Sequence, residues 1–447
     1  MNIKNSIIVL ALGAAALCSC KKQIDIQPKG AVNPANLGQN EVQQLLIGVY
    51  RSLQNNPSAY SYVTGDLMGE NLTNSSLFNS GDQVDFVQGT VKTNNLIIYQ
   101  MWWGYYNGIF NCNTLLQTLS NLTASTGNKQ LTAAAKYFRA YGYFNLVIRW
   151  GGVPLITSTT AAVVKRSTAA DTWALIKADL QAAIADLPSL STITTDPQYT
   201  VSKEAAQALL AKVSLYTGDN ATATTLAEGL IANPAFALET NFSNVYHTLA
   251  NKELIFGFKY LSSEMGLVSS TNSGFVNLGL YTLFTTNAFP QRGSYVYLPT
   301  QELQNLFTPG DTRTAISFVN YNNNGLIMVN KFWNFEPVII SRIAEMYLIS
   351  AEAQGVSGIG RLNQLRQVRG LASLSITDPT DYLNAILLER RKELFCEGHR
   401  LYDLIRTNTA IGTLAHITDK NKLLLPIPQQ EIDVNNDPVN FPQNPGY

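Results

Sequence analysis

The residues of this 447-residue chain best placed to do chemistry are carboxylates sharing one helix face. In ERRKELFCEGHR, Glu389 and Glu393 stand at i and i+4, with Glu397 and His399 just beyond. Two carboxylates at that spacing are the raw material of a hydrolase acid/base pair, or of a metal site. Arg390, Arg391, Lys392, Arg400 and Arg406 interleave with them. The same pattern therefore describes a partly buried ion-pair network that locks the last helices together, and this is the preferred reading. The only histidines are His247, His399 and His416, and none pairs with another at metal-ligand spacing. Nucleophile-elbow, Walker and dinucleotide fingerprints are absent from the sequence. An enzyme is disfavoured, and neither a metal nor a cofactor is expected.

Binding chemistry has a better candidate. Trp102-Trp103-Gly104-Tyr105-Tyr106-Asn107 is the densest aromatic cluster. Flat rings stack on the C–H faces of sugars, and an Asn amide can hydrogen-bond a hydroxyl pair. On a helix, some members of such a cluster must face inward. Trp102 and Tyr106 are assigned to the core, which leaves Trp103 or Asn107 for contact with a ligand. A second group, Tyr281, Tyr295, Tyr297 and Trp333, falls in an irregular stretch rich in Ser, Thr, Asn and Gly. For these four the choice is between ligand contact, subdomain core and a partner surface.

The elements that must hold these residues are mostly helical. Apolar periodicity predicts helices near 40–53, 96–119, 131–150, 169–187, 203–217 and 219–232, and again near 341–354, 360–369, 381–395 and 401–406. Within 136–157, Tyr137, Ala140, Tyr141, Phe144, Val147 and Ile148 form one face, with Arg139, Asn145 and Arg149 toward the other. Gly151-Gly152 before Val153-Pro154 stops that helix hard. The helix pair 203–232, with small residues at its close-packed positions, looks like a tetratricopeptide unit, although no clean 34-residue period is present. Residues 253–260 read as a strand. The regions 55–89 and 265–335 read as loop-rich.

Composition narrows the partners. Lys+Arg and Asp+Glu are equal at 31 each, so no net field favours nucleic acid or an anionic surface. Charged residues are only 14%, so Asn, Gln, Ser, Thr and Tyr must finish the surface, which suits neutral, hydroxyl-rich ligands. At the N-terminus, Lys4 precedes an apolar run from Ile7 to Leu17, too short to span a bilayer. Leu17-Cys18-Ser19-Cys20 resembles a bacterial lipobox, with Cys20 as the acylated residue; an ordinary signal peptide is the alternative. The membrane would then be reached through the lipid anchor alone. Cys112 and Cys396 remain, and two buried free thiols are favoured over a disulfide.

Taken together, these segments resemble the SusD/RagB family of outer-membrane nutrient-binding lipoproteins. The resemblance rests on YFRAYGYFNLVIRWGGVPLI at 137–156, KEAAQALLAKVSLYTGD at 203–219 and SRIAEMYLISAEA at 341–353. It continues through LNQLRQVRGL at 362–371, ILLERRKELFCEGHRLYDLIR at 386–406, LLPIPQQEI at 424–432 and the terminal QNPGY. It implies a mostly α fold, a tetratricopeptide-like helical-repeat scaffold carrying a loop-rich subdomain and a few short strands. The implied organisation is a signal peptide at 1–19, a tether at 20–40, a helical region at 41–260 and a C-terminal region at 261–447 that includes 265–335. The implied function is non-catalytic capture of a nutrient, foremost a glycan and alternatively a peptide, for delivery to a SusC-like TonB-dependent transporter. Display on the cell exterior is the family expectation, although Lys21 and Lys22 stand where such lipoproteins often carry acidic residues. A helical scaffold that binds only protein or peptide is the competing reading.

Overall fold

A computed structural model describes residues 37–57, 59–75, 81–160, 164–259, 297–321, 325–332 and 337–447. The longer helices are α1 (Val42–Asn55), α2 (Leu96–Ser120), α3 (Thr126–Trp150), α4 (Ala169–Asp186), α5 (Lys203–Tyr216) and α6 (Asn220–Ile231). They continue with α7 (Ile343–Ala353), α8 (Ile359–Val368), α9 (Pro379–Glu393), α10 (Arg400–Arg406) and α11 (Gln429–Asn435). Consecutive helices pack as neighbours from α2 to α6, and α7 lies against α6, α8 and α9. This is the helix-on-helix arrangement expected of the scaffold.

Helix starts follow local chemistry. Asn95 caps α2 by accepting from Ile97 and Ile98 N–H, and Thr168 with Asp171 forms a complete capping box at α4. At α9, Asp378 caps and Pro379 occupies the first helical position, where a missing N–H costs nothing. Helix α3 begins at Thr126, five residues before the apolar pattern does, because Ser125 caps it through Asn128 N–H. It ends at Gly151, whose φ of 71° lies in the left-handed region.

Helix α3 is the centre of the molecule, and its burial corrects the two-faced reading. Tyr137, Ala140, Tyr141, Phe144 and Val147 are buried as expected, but Arg139, Asn145 and Arg149 are buried too. The reason is that α1, α2 and α4 all pack on α3, so from Leu131 onward it keeps no solvent face. Its arginines survive burial by finding partners. Arg139 makes a two-pronged contact with Asp179 of α4, both bonds 2.8 Å. The chain leaving α1 passes over α2 at Gly104, where an added Cβ would sit 2.4 Å from the backbone of Asn56.

The strands are short and paired at long range. Strand β1 (Leu72–Asn74) pairs antiparallel with β3 (Tyr297–Pro299), and β2 (Leu254–Phe258) with β6 (Val338–Arg342). A local hairpin joins β4 (Phe318–Tyr321) to β5 (Leu326–Val329). Both regions read as loops from sequence therefore contain regular structure, including a short helix at Asp82–Gln88. One apolar cluster runs from Val42 to Phe441, so the two ends of the chain share a core. Among the described residues no helix is long and apolar enough to cross a membrane.

Candidate functional site

The carboxylates of 389–397 are committed to arginine. Glu393 is met by Arg342 at 2.7 Å and by Arg369 and Arg313 at 2.8 Å each, all four side chains out of water. Glu253 on the neighbouring loop is held by the same Arg342 and Arg369, at 2.6 and 2.9 Å. Glu389 pairs with Arg313 and Arg366, and Glu397 with Arg342 and Lys331. Burial by itself would raise the Glu393 carboxyl, but Arg369, Arg342 and Arg313 hold it well below the usual range. A general acid needs the opposite shift, so this cluster is an ion-pair network of the scaffold. His399 lies 3.6 Å from Glu345 and is pushed well below its ordinary value by burial, then by Lys212. Among the described residues no group of three His, Cys, Asp or Glu is placed to hold a metal.

Among the described residues, two of the cavities are compared as binding sites. One, of about 50 Å³, is lined by Tyr62, Asn145, Arg149, Lys212, Glu397 and His399. It has room for water but not for a sugar ring. The other, of about 280 Å³, opens on the outer side of α2. The Trp103 and Phe110 rings stand along it, 48% and 47% exposed. Trp102, Tyr106, Pro154 and Ile156 contribute further lining, and Glu431, Asn435 and Phe441 come from α11 and the tail beyond it.

The cleft is assembled by three segments far apart in sequence. The hard stop after α3 sends residues 153–156 back along α2, where Tyr106 donates to Pro154 O at 2.8 Å and Asn113 to Ile156 O at 2.9 Å. Arg166 ties this strap to the tail, donating to Gly152 O at 2.7 Å and to Asn444 Oδ1 at 2.8 Å. Helix α11 is seated by Gln429 N–H donating to Thr93 O at 2.8 Å, just ahead of α2. That register brings Glu431 beside Trp102, and Glu431 and Asn435 are one helical turn apart. Burial raises the Glu431 carboxyl above its usual range, and a hydrogen bond from Trp102 works against that rise. An apolar, aromatic-lined groove with one carboxylate and one amide can orient a ligand carrying hydroxyls on a ring with an apolar face.

The residues singled out from sequence fare unequally. Trp103 lines the cleft with its ring half in solvent, while Trp102 is buried and Tyr106 partly so. Asn107 does not line it; its side-chain oxygen accepts from Asn56 Nδ2 at 2.7 Å, tying α2 to the end of α1. Tyr297 is fully buried, which corrects its assignment as a ligand contact. Pairing of Asn74 with Tyr297 turns that ring inward, where it meets Tyr60 edge-on at 6.2 Å. Tyr281, Tyr295 and Trp333 lie outside the described residues, as does Cys20. Sequence reasoning missed Phe110, Glu431 and Asn435. Phe110 stands seven residues after Trp103, a spacing that carried the signal; the α11 pair became visible only once the tail was placed.

Comparison with known proteins gives a consistent answer. Residues 24–215 match a family model for starch-binding proteins associating with the outer membrane, and residues 311–447 match the SusD family. SusD-like protein P38 of Formosa agariphila is 26% identical, covering 92% of both chains, and SusD-like protein P25 of the same organism is 23% identical, covering 97% of both. Among solved structures, a laminarin-binding SusD-like protein superposes with a TM-score of 0.78 at 26% identity, over 92% of this chain and 100% of that one. Surface glycan-binding protein A from Bacteroides thetaiotaomicron, in complex with laminarihexaose, gives 0.78 at 22% identity over 91% and 99%. These matches agree with one another: the chain belongs to the SusD/RagB family, whose members associate with the outer membrane.

Proposed function

We propose that this protein is a lipid-anchored, outward-facing binding protein that captures a glycan at the cell surface and passes it to a SusC-like TonB-dependent transporter without altering it. The observation that carries the reading is the cleft on α2, where half-exposed Trp103 and Phe110 rings stand near a carboxylate and an amide. Rings supply stacking area at low entropic cost, and the two polar groups fix hydroxyl directions. The 26%-identical relative that binds laminarin supports a polysaccharide as the ligand class. Commitment of Glu389 and Glu393 to arginines supports capture without catalysis.

Anchoring is assigned to Cys20, on the lipobox-like Leu17–Cys20. Tyr281, Tyr295 and Trp333 are proposed as further ligand contacts. The test is calorimetric titration of the soluble form beginning at Lys21 with a panel of glycans and peptides. Binding to at least one neutral glycan is expected. Tight binding to peptides with none to any glycan would leave the scaffold reading in its place. Cys20→Ala should move the full-length protein out of the outer-membrane fraction; unchanged membrane association would remove the lipid anchor.

A further inference from the structure

We infer that the cleft on α2 selects a short, extended stretch of uncharged glycan running from Trp103 to Phe110, and rejects chains that carry carboxylate or sulfate. This rests on the glycan reading above and adds length and charge to it.

Length follows from the helix. Trp103 and Phe110 are seven residues apart on α2, and at 1.5 Å per residue their rings are offset by ~10.5 Å, about the reach of two sugar rings in an extended chain. Seven residues is also nearly two full turns, so both rings come to the same side of the helix. A cleft of about 280 Å³ suits a segment of that size, with the rest of a long polymer lying outside it. Two aromatic platforms two rings apart hold a chain that bridges them. A monosaccharide reaches one platform only.

Charge follows from the lining. The described residues of the cleft contain one carboxylate, Glu431, and no Lys, Arg or His. A carboxylate accepts hydrogen bonds and donates none, so it favours sugar hydroxyls, which donate. An anionic substituent in the same space would meet Glu431 with no Lys, Arg or His in the described lining to pair with it, in a site walled by Trp102, Trp103, Phe110 and Ile156. Arg166 lies close enough to influence Tyr106, but it does not line the cleft. Its guanidinium donates to the backbone oxygens of Trp150 and Gly152 and to the side chain of Asn444. Asn435, one turn from Glu431, donates one amide N–H to Glu431 O at 2.9 Å, which leaves its side-chain oxygen and second N–H to complete a polar pair suited to neighbouring hydroxyls.

The experiment titrates the soluble form beginning at Lys21 with neutral β-glucan oligosaccharides of one to six rings and with oligouronates of matching length. Affinity is expected to rise steeply once the chain spans both platforms, then flatten. Neutral chains should bind at least tenfold more tightly than uronates of the same length. Trp103→Ala and Phe110→Ala should each weaken the longer neutral chains tenfold or more, with melting temperatures unchanged because both rings are half exposed. Glu431→Gln should bring uronate affinity toward that of the neutral chain. Neutral glycans that bind equally well to the Trp103→Ala and Phe110→Ala variants would overturn the inference while leaving glycan capture intact at another surface. Equal affinity for neutral and acidic chains would overturn the charge rule. Binding to no glycan at all would overturn this inference and the proposed function together.

Discussion

Arg342 and Glu393 meet at 2.7 Å with both side chains out of water, one at the end of β6 and the other at the end of α9. Around them Glu253, Arg313, Arg369 and Glu397 complete a buried cluster that joins the segment after α6 to the last helices. Its charges offset one another locally, and Arg342 also donates to Glu393 O at 2.7 Å, while Arg369 donates to Glu239 O at 2.7 Å. Removing one member leaves the others buried without a counter-charge, which is where the energetic penalty lies.

Glu393→Gln should therefore cost about 3–5 kcal/mol of unfolding free energy, since three buried arginines lose their shared carboxylate. Urea denaturation followed by circular dichroism measures it. A loss below about 1 kcal/mol would show that the cluster is wetter and looser than its geometry, in the range of surface pairs.

Acid should unfold the protein through the same residues. Burial opposes ionisation of Glu393 and Glu397, but Arg369, Arg342 and Arg313 hold the first well below its ordinary value, and Arg342 and Lys331 hold the second below its own. A carboxyl whose folded value is depressed stabilises fully above its unfolded value, about 4.3 for Glu, and loses that contribution as pH falls toward the folded value. The urea midpoint should fall steeply from about pH 4.3 downward, and the fall should be shallower in Glu393→Gln. Asp66 acts with the opposite sign. Burial pushes it up to about 6 against hydrogen bonds from Asn71, Cys396 and Gly398, so its contribution declines as pH rises from about 4 toward 6. The comparison with Glu393→Gln isolates the arginine-held part. Parallel pH profiles for the two proteins would exclude Glu393 as a source of the acid limb.

How much of this was legible in the sequence depended on the range of the interaction that fixed each residue. Helix α5 is legible nearly to the residue, because the alanine and leucine face and the Gly218-Asp219 stop are local signals; Ser202, which caps its start, is a local signal too. Helix α3 was read too short and too one-sided. Its Ser125 cap precedes any apolar residue of the pattern, and its polar residues are buried by helices whose arrival no local signal announces. Tyr297 was misassigned because its orientation is set by pairing with Asn74, more than 220 positions earlier. The cleft was half legible: Trp103 stood out by composition, whereas Glu431 and Asn435 reach it only through the seating of α11 ahead of α2.

Glycine positions separate packing from propensity. At Gly104 an added Cβ would lie 2.4 Å from the backbone of Asn56 and Pro57, atoms that cannot step aside. Gly104→Ala should destabilise by about 1–3 kcal/mol despite alanine's better helix propensity. Gly229 in α6 has nothing within 4 Å of the same position, so Gly229→Ala should stabilise by up to about 1 kcal/mol. Thermal melts of the two variants should move in opposite directions. If both rise, the Asn56-Pro57 backbone does not press on α2 at Gly104.

Cys112 and Cys396 are free and buried, and burial raises both thiols far above the range where thiolate forms. In the soluble form beginning at Lys21, an aromatic disulfide reagent should label neither thiol in the native state and both in denaturant. Rapid native labelling would mean that one of them is reached by local opening.

Among the described residues no carboxylate pairs with buried Arg149, and this makes its geometry testable. Its guanidinium lies between the rings of Tyr105 and Tyr402, 5.6 and 5.3 Å from their centroids. One terminal nitrogen donates to Asn145 O and Oδ1, each at 2.9 Å, and the other donates to Ser61 O. Carbonyl dipoles and two π-faces thus take the place of a counter-ion, an arrangement that needs a planar, forked cation. Lysine keeps the charge but cannot present flat faces to two rings while reaching acceptors on both α3 and the Ser61 turn. Arg149→Lys should lose at least one hydrogen bond to a charged group, about 1.5–3 kcal/mol, read as a lower urea midpoint with an unchanged slope. A midpoint equal to that of the unaltered protein would mean that charge alone suffices at this position, and that stacking and the fork contribute nothing to stability.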